Sequence, residues 1–235
     1  MAQNNGKADA SRIQLYILLD RSGSMESIRD DVIGGFNSFI DEQRAEGPDA
    51  RVTLVQFDTG DAHEILLDAR PIGAVRPLSR RTFVPRGGTP LLDATGLLIA
   101  RAAVRVEQRR QTGKAPEAVV FVTITDGQEN SSAEYDRASI LRLVEAKEAE
   151  GWSFAFLGAG LDAYAEAGGM GYDTGSVQAF AADGMGAKAA WGSLSRATSE
   201  HRRHVRAQGA PPPPGDFFKG LKEAEIDRDR RRRRP

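Results

Sequence analysis

The stretch Ile13-Gln14-Leu15-Tyr16-Ile17-Leu18-Leu19 is an almost unbroken apolar run, and Asp20-Arg21-Ser22-Gly23-Ser24 follows it at once. Such a run is typical of a strand that is buried on both faces of a sheet. Residues 118–125 and 152–157 have the same character. We therefore predict a parallel sheet that is covered by helices on both sides.

Residues 51–57 form a fourth candidate strand, and the turn sequence Asp58-Thr59-Gly60-Asp61 leads from it to residues 63–68. We predict a hairpin here, with one antiparallel strand at the edge of the sheet. Apolar residues at helical spacing indicate helices over residues 28–46, 90–113, 134–149 and 185–207. Strands that alternate with helices predict an α/β fold with a doubly wound, mostly parallel, Rossmann-like sheet.

The composition of the 235 residues fits one soluble domain, since 40% of them are hydrophobic and 28% are charged. We predict that residues 12–210 are this domain and that residues 1–11 are a flexible N-terminus. Residues 211–235 combine a proline run with an arginine-rich end, and we expect them to be a disordered linker and tail outside the fold. The absence of cysteine excludes disulfides and thiolate metal sites.

The sequence also bears on location. No segment approaches the ~20 apolar residues that a transmembrane helix needs, and residues 1–11 lack the apolar stretch of a secretion signal. The net charge of −1 gives no overall attraction to nucleic acid or to an anionic membrane. We therefore expect a cytoplasmic protein that does not associate with membranes.

Polar side chains cluster at three predicted junctions between strands and helices. Carboxylates beside neutral hydroxyls are ligands that a small hard cation such as Mg²⁺ accepts. Each residue alone has a structural explanation as a helix cap or a turn residue. Together, at the strand ends where doubly wound sheets bind ligands, they predict a metal site. The candidate ligands are Asp20, Ser22, Ser24, Thr89 and Asp126.

At these residues the chain resembles the von Willebrand factor type A domain. The family's Asp-x-Ser-x-Ser element corresponds to Asp20, Ser22 and Ser24, its threonine to Thr89 and its second aspartate to Asp126. The metal-ion-dependent adhesion site of the family is therefore intact in the sequence. The resemblance covers residues 12–208 and is greatest to the bacterial, intracellular, single-domain type, which shares the Arg-Gly-Gly-Thr and Thr-Asp-Gly-Gln-Glu-Asn segments.

The resemblance implies a function. It implies that the five residues hold Mg²⁺, or Mn²⁺, and that the ion takes a carboxylate from a protein partner. It implies a non-enzymatic interaction module, of a type that often works beside ring-shaped ATPases or kinase and phosphatase systems. The residues expected to line the rim, where a partner would bind, are Met25, Arg86, Glu129 and Asn130. Arg86 either positions the incoming carboxylate or is an ordinary solvated loop residue.

Two alternatives remain open from the sequence. The first is a Mg²⁺-dependent hydrolase or phosphoryl-transfer enzyme, for which Glu129 is the only nearby candidate acid or base. The second is association with nucleic acid through the arginine-rich tail. We do not expect nucleic acid to be the partner, because aspartates are interleaved with the arginines.

Three further features predict local structure. Gly34 and Gly35 lie within the first predicted helix, where we expect close packing to explain them. His201 is expected on a solvated helix surface, among arginines that include Arg202. The pair Phe217-Phe218 follows the proline run and could dock on the domain or bind a partner.

Overall fold

Six strands form one sheet in the structure, a computed structural model that describes residues 13–159 and 162–222. They are β1 (Ile13–Asp20), β2 (Ala50–Asp58), β3 (Asp61–Pro71), β4 (Ala118–Thr125), β5 (Ser153–Ala159) and β6 (Val177–Phe180). Their order across the sheet is β3-β2-β1-β4-β5-β6, and β3 alone is antiparallel to its neighbour. The predicted Rossmann-like sheet with one antiparallel edge strand is thus confirmed.

The helices cover both faces of this sheet. They are α1 (Arg29–Ala45), α2 (Leu91–Gln111), α3 (Arg137–Ala149), α4 (Ala163–Gly169) and α5 (Gly184–Gln208). Because side chains alternate along β1, Leu15 and Ile17 pack in the core beneath α1 and α5, whereas Tyr16 and Leu18 pack beneath α2, α3 and α4. No helix in the described part of the chain combines the length and apolar content that crossing a bilayer requires.

The two edges of the sheet differ from its regular centre. β6 has only four residues, and the pairing of β3 with β2 shifts register at three places along its length. Ala69, within β3, has a φ of 44°, a left-handed value that few residues other than glycine adopt. The antiparallel strand is therefore bent rather than flat.

Helices α1 and α5 approach closely at two glycines, Gly35 of α1 and Gly184 of α5. A Cβ atom on Gly35 would lie 2.1 Å from Cδ1 of Trp191, so any larger residue would displace the indole ring. The same ring packs edge-on against Phe36, with ring centroids 6.2 Å apart. The expectation of close packing is confirmed for Gly35, whereas Gly34 faces open space.

The segment that follows α5 folds back on the domain. Phe218 is fully buried in the core, and its backbone N–H donates to the carbonyl of Gly175 at 3.2 Å. Phe217 is also buried, and its N–H donates to Oγ of Ser176 at 3.2 Å. The prediction of a tail outside the fold is therefore wrong for residues 211–222, because burial of two phenyl rings favours docking. The arginine-rich residues 228–234 lie outside the described residues.

Two ionisable residues of α5 face the interior instead of solvent. His201 is buried, and its ring lies 5.8 Å from that of Phe217. Arg202 is fully buried, donates to the carbonyls of Gln43 and Gly47, and pairs with Asp49. The predicted solvated surface is therefore wrong at both positions, because the docked C-terminal segment and α1 cover this face of the helix.

The burial of His201 predicts a loss of stability in acid. Burial lowers the pKa of His201 from 6.5 to about 4, and the charges of His204 and Lys219 act in the same direction. Between these pH values the unfolded chain binds a proton that the folded chain does not, so the free energy of unfolding falls as the pH falls. The complete pKa shift corresponds to a decrease of roughly 3 kcal/mol in the free energy of unfolding.

We expect urea unfolding of the His201→Gln variant to show a smaller loss of stability over this pH range than the wild type. Because both proteins keep every other titratable group, the difference between the two profiles reports on His201 alone. Parallel profiles would contradict the buried, uncharged state of the imidazole.

Candidate metal centre

The two strands that carry the candidate aspartates are neighbours. β1 and β4 pair in parallel with Leu19 opposite Ile124, which brings the next residues, Asp20 and Thr125, side by side. The chain crosses to β2 on one side of β1 and to β4 on the other, so the order of strands reverses at this point. Doubly wound sheets bind ligands in the crevice that such a reversal creates.

Asp20 is a fully buried carboxylate that is held by two hydrogen bonds. Its Oδ1 accepts from the backbone N–H of Ser22 at 2.6 Å, and its Oδ2 accepts from the hydroxyl of Thr125 at 2.6 Å. Burial raises the pKa of Asp20 to about 6, although both hydrogen bonds oppose that shift. Thr125 is absent from the predicted site, and its place beside Asp20 in the strand register is the signal that could have found it.

Asp126 connects the end of β4 to the loop after β1. The hydroxyl of Ser24 donates to Oδ1 of Asp126 at 2.6 Å, and the hydroxyls of Ser22 and Ser24 lie 3.1 Å apart. Partial burial raises the pKa of Asp126, while the hydrogen bond from Ser24 acts against the rise. Four of the five predicted ligands therefore form one continuous set of contacts.

Thr89 faces the same space from the opposite side. Its Oγ1 lies 2.9 Å, and Oδ2 of Asp20 3.7 Å, from the point that a Cβ atom on Gly127 would occupy. Only glycine at position 127 leaves that space open. The backbone of Thr89 is fixed by Asn130, whose Oδ1 accepts from the threonine N–H at 2.9 Å and whose N–H donates to the threonine carbonyl at 3.2 Å.

The glycine-rich loop that carries Thr89 is tied to the end of β1. The N–H of Arg86 donates to the carbonyl of Arg21 at 2.7 Å, and the N–H of Gly23 donates to the carbonyl of Gly87 at 3.0 Å. Gly87 has a φ of 68°, which favours glycine. These contacts hold the two loops together without using the side chains of the site.

The nearest arginines are directed away from the aspartates of the site. Arg21 is buried and pairs with Asp58 and Glu64, and Nε of Arg86 lies 3.0 Å from Oδ2 of the same Asp58. Burial opposes ionisation of Asp58, but a backbone N–H and the two guanidinium groups outweigh it and hold its pKa below the usual value. Over residues 13–159 and 162–222, Asp20 has no cationic partner.

Two solved structures with a similar fold are longer chains. A von Willebrand factor type A protein from Catenulispora acidiphila aligns with a TM-score of 0.52 and 14% identity over 81% of this chain. The chain has the von Willebrand factor type A fold. The pilus adhesin SpaC from Lactobacillus rhamnosus GG aligns with a TM-score of 0.58 and 14% identity over 80% of this chain.

The alignments cover only 42% of the Catenulispora acidiphila chain and 30% of the SpaC chain. In sequence comparisons, no family model and no curated relative matches the chain. At such low identity, the similarity extends to the von Willebrand factor type A fold alone.

Two of the expected rim residues differ in exposure. Arg86 is exposed and, although paired with Asp58, lies on the surface beside the site. Met25 is fully buried in the core beneath α1, so its predicted place on the rim is wrong. The reason is local: a 3₁₀ turn over Gly23–Ile28 directs the methionine side chain inward.

The other two rim residues have structural contacts. The carboxylate oxygens of Glu129 accept from the N–H groups of Leu92 at 2.9 Å, Ser131 at 2.8 Å and Ser132 at 2.7 Å. Glu129 thereby satisfies donors at the start of α2 and in its own loop. Asn130 is exposed. Its two hydrogen bonds to the backbone of Thr89 connect the loop after β4 to the loop that carries the threonine.

The donor set of the candidate site suits a hard cation. No three His, Cys, Asp or Glu side chains are grouped for metal binding within the described residues, and this site offers two carboxylates and three hydroxyls. Keeping a buried carboxylate ionised beside a second carboxylate costs free energy unless a positive charge compensates for it. Oxygen-only ligands favour Mg²⁺, Ca²⁺ or Mn²⁺ over the metals that prefer thiolate or imidazole.

Proposed function

We propose that the chain is a protein-interaction module that binds Mg²⁺, or Mn²⁺, at the end of β1 and β4. The predicted ligands are Asp20, Ser22, Ser24, Thr89 and Asp126. One observation carries the proposal: three hydroxyl groups lie around two carboxylates that have no cationic partner among the described residues. A bound Mg²⁺ would supply positive charge and a coordination position that a carboxylate of a partner protein can fill.

Residues around the site orient its ligands through hydrogen bonds. The Thr125 hydroxyl and the Ser22 N–H orient the carboxylate of Asp20. Asn130 holds the backbone of Thr89 through two hydrogen bonds, which limits the positions that the threonine hydroxyl can take. Because three of the five ligands are neutral, the two carboxylates would only balance the charge of a divalent ion, and the set adds no excess negative charge that would repel an acidic partner.

A non-enzymatic role is part of the proposal. Both carboxylate oxygens of Glu129, the sole candidate acid or base of the enzymatic alternative, accept hydrogen bonds from the protein. A general base needs a free oxygen within reach of the substrate proton. The cytoplasmic location, the bacterial single-domain type, and a ring-shaped ATPase or a kinase and phosphatase system as partner stay predictions from the sequence.

Calorimetric titration with Mg²⁺ and with Mn²⁺ tests the metal site. We expect binding heat from the wild type and none from Asp20→Ala, because the central carboxylate of the set is lost. Glu107→Gln is a suitable control, since this variant removes one carboxylate from the exposed face of α2, away from the site. Equal heats from the wild type and Asp20→Ala would refute the assignment.

Affinity capture from native extract tests the role of the metal in partner binding. Wild type and Thr89→Ala are compared with and without a chelator. We expect a partner that is retained only by the wild type and only when the metal is present. Retention of the same proteins in all four samples would mean that the metal face is not the binding surface.

A further inference from the structure

A second polar cleft lies between α2 and β3. It is an open cleft of about 370 Å³ and is lined by Tyr16, Asp68, Arg101, Val104, Arg105 and Gln108. Tyr16 precedes Asp20 by four residues along β1, which corresponds to about 13 Å along a strand. The cleft is therefore separate from the candidate metal centre.

Tyr16 lines this cleft and carries an unusual buried hydroxyl. Its side chain is almost fully buried, and its Oη has no hydrogen-bond partner among the residues that the structure describes. Burial raises the pKa of Tyr16, and the nearby charge of Arg105 opposes the rise, so the neutral hydroxyl remains a hydrogen-bond donor. Buried tyrosine hydroxyls usually have a partner, and an acceptor in the cleft would supply one.

Two arginines on one face of α2 add positive charge. Arg101 and Arg105 are four residues apart, so their side chains project from the same side of the helix. Glu117 accepts from Nε and Nη2 of Arg105 at 3.0 and 2.9 Å, which leaves Nη1 of Arg105 for another acceptor. Nη2 of Arg101 pairs with Asp68 at 2.7 Å, and both of these side chains are exposed to solvent.

We propose that this cleft binds the carboxylate or phosphate group of a small molecule, which accepts hydrogen bonds from Tyr16 and from the guanidinium groups of Arg101 and Arg105. Guanidinium groups bind such oxyanions through charge-assisted hydrogen bonds. The cavity lies at the lower end of the usual size for small-molecule sites. Asp68 competes with the ligand for Arg101, so its charge weakens anion binding.

Thermal unfolding in the presence of inorganic phosphate or malonate, against chloride at equal ionic strength, tests the proposal. We expect both anions to raise the midpoint of the wild type, and the dependence on concentration gives the dissociation constant. Tyr16→Phe is expected to weaken binding about 5- to 10-fold, and Arg101→Gln about 10-fold. Asp68→Asn is expected to tighten it.

Arg110→Gln is the matched control, because Arg110 lies on the same helix and pairs with the exposed side chain of Glu107. It should bind the anions as the wild type does. Without an added anion, Tyr16→Phe should be at least as stable as the wild type, because the lost hydroxyl is buried without a partner. The larger effect of phosphate or of malonate identifies the preferred group.

Three results would overturn the proposal. One is the absence of stabilisation beyond chloride, which would mean that the cleft holds water only. Another is equal weakening by Arg110→Gln, which would indicate general attraction to the basic helix. The third is a loss of stability in Tyr16→Phe without an added anion, which would show that the hydroxyl already has a partner.

Discussion

Replacement of Phe218 by alanine is expected to lower the free energy of unfolding by about 3–5 kcal/mol, the usual cost of truncating a fully buried phenylalanine. The phenyl ring is inaccessible to solvent and belongs to the core beneath α1 and α5. It also packs edge-on against Phe217, with ring centroids 5.5 Å apart. Loss of the ring would leave a cavity where the C-terminal segment enters the domain.

Urea unfolding of Phe218→Ala and Met185→Ala measures this effect. Met185 is 65% exposed at the start of α5, so its truncation should change stability by less than about 0.5 kcal/mol. The same experiment distinguishes a docked segment from a free tail. If Phe218→Ala were as stable as Met185→Ala, the C-terminal segment would not be part of the core.

Arg202→Ala is the second large expected loss, of about 3–4 kcal/mol. The guanidinium of Arg202 is fully buried, donates to Oε1 of Gln43 at 3.2 Å and to the carbonyl of Gly47 at 2.8 Å, and pairs with Asp49. Removing the buried member of this ion pair leaves carbonyl acceptors without donors and takes the nearest positive charge away from Asp49. Arg206 also contacts Asp49, at 3.2 Å, which keeps the expected loss below the upper limit for such pairs.

The neighbouring Arg203→Ala variant is the control. The side chain of Arg203 is 62% exposed and pairs with Glu46 at the surface, where an ion pair contributes at most about 1 kcal/mol. Denaturant unfolding of both variants compares a buried and an exposed arginine on the same helix. Losses of similar size would contradict the buried ion pair.

The sheet could be predicted from the sequence because its strands are continuous in apolar residues. The run that begins at Ile13 is buried throughout, and the hairpin after Asp58 forms the antiparallel edge. Helix boundaries were predicted less accurately: the third helix begins at Arg137, three residues after the predicted start. There, Asp136 caps the helix by accepting from the N–H of Ser139 at 2.7 Å.

The candidate site was largely predictable as well, since its residues follow strands or precede a helix. The convergence of Asp20 and Asp126 follows from the pairing of β1 with β4. The sequence could not indicate which of the predicted rim residues are instead held by contacts with the rest of the protein. Glu129 is bound to backbone donors, and Met25 is turned into the core by a short 3₁₀ turn.

The C-terminal segment and α5 were mispredicted for a common reason. Local composition is polar around His201 and Arg202, and a proline run precedes Phe217. Burial at these positions comes from contacts between α1, α5 and the segment after it, which are distant in sequence. Such contacts leave no periodic signal in a single chain.

The irregular edge strands, β3 and β6, affect how readily two molecules can associate through the edges of their sheets. In the described part of the chain, β6 offers four residues, and the three register shifts of β3 break its row of free backbone groups. Short or bulged strands of this kind are poor templates for strand addition and so resist aggregation. Concentrated solutions should therefore stay free of sheet-extended fibrils, because neither edge of the sheet favours the addition of a strand.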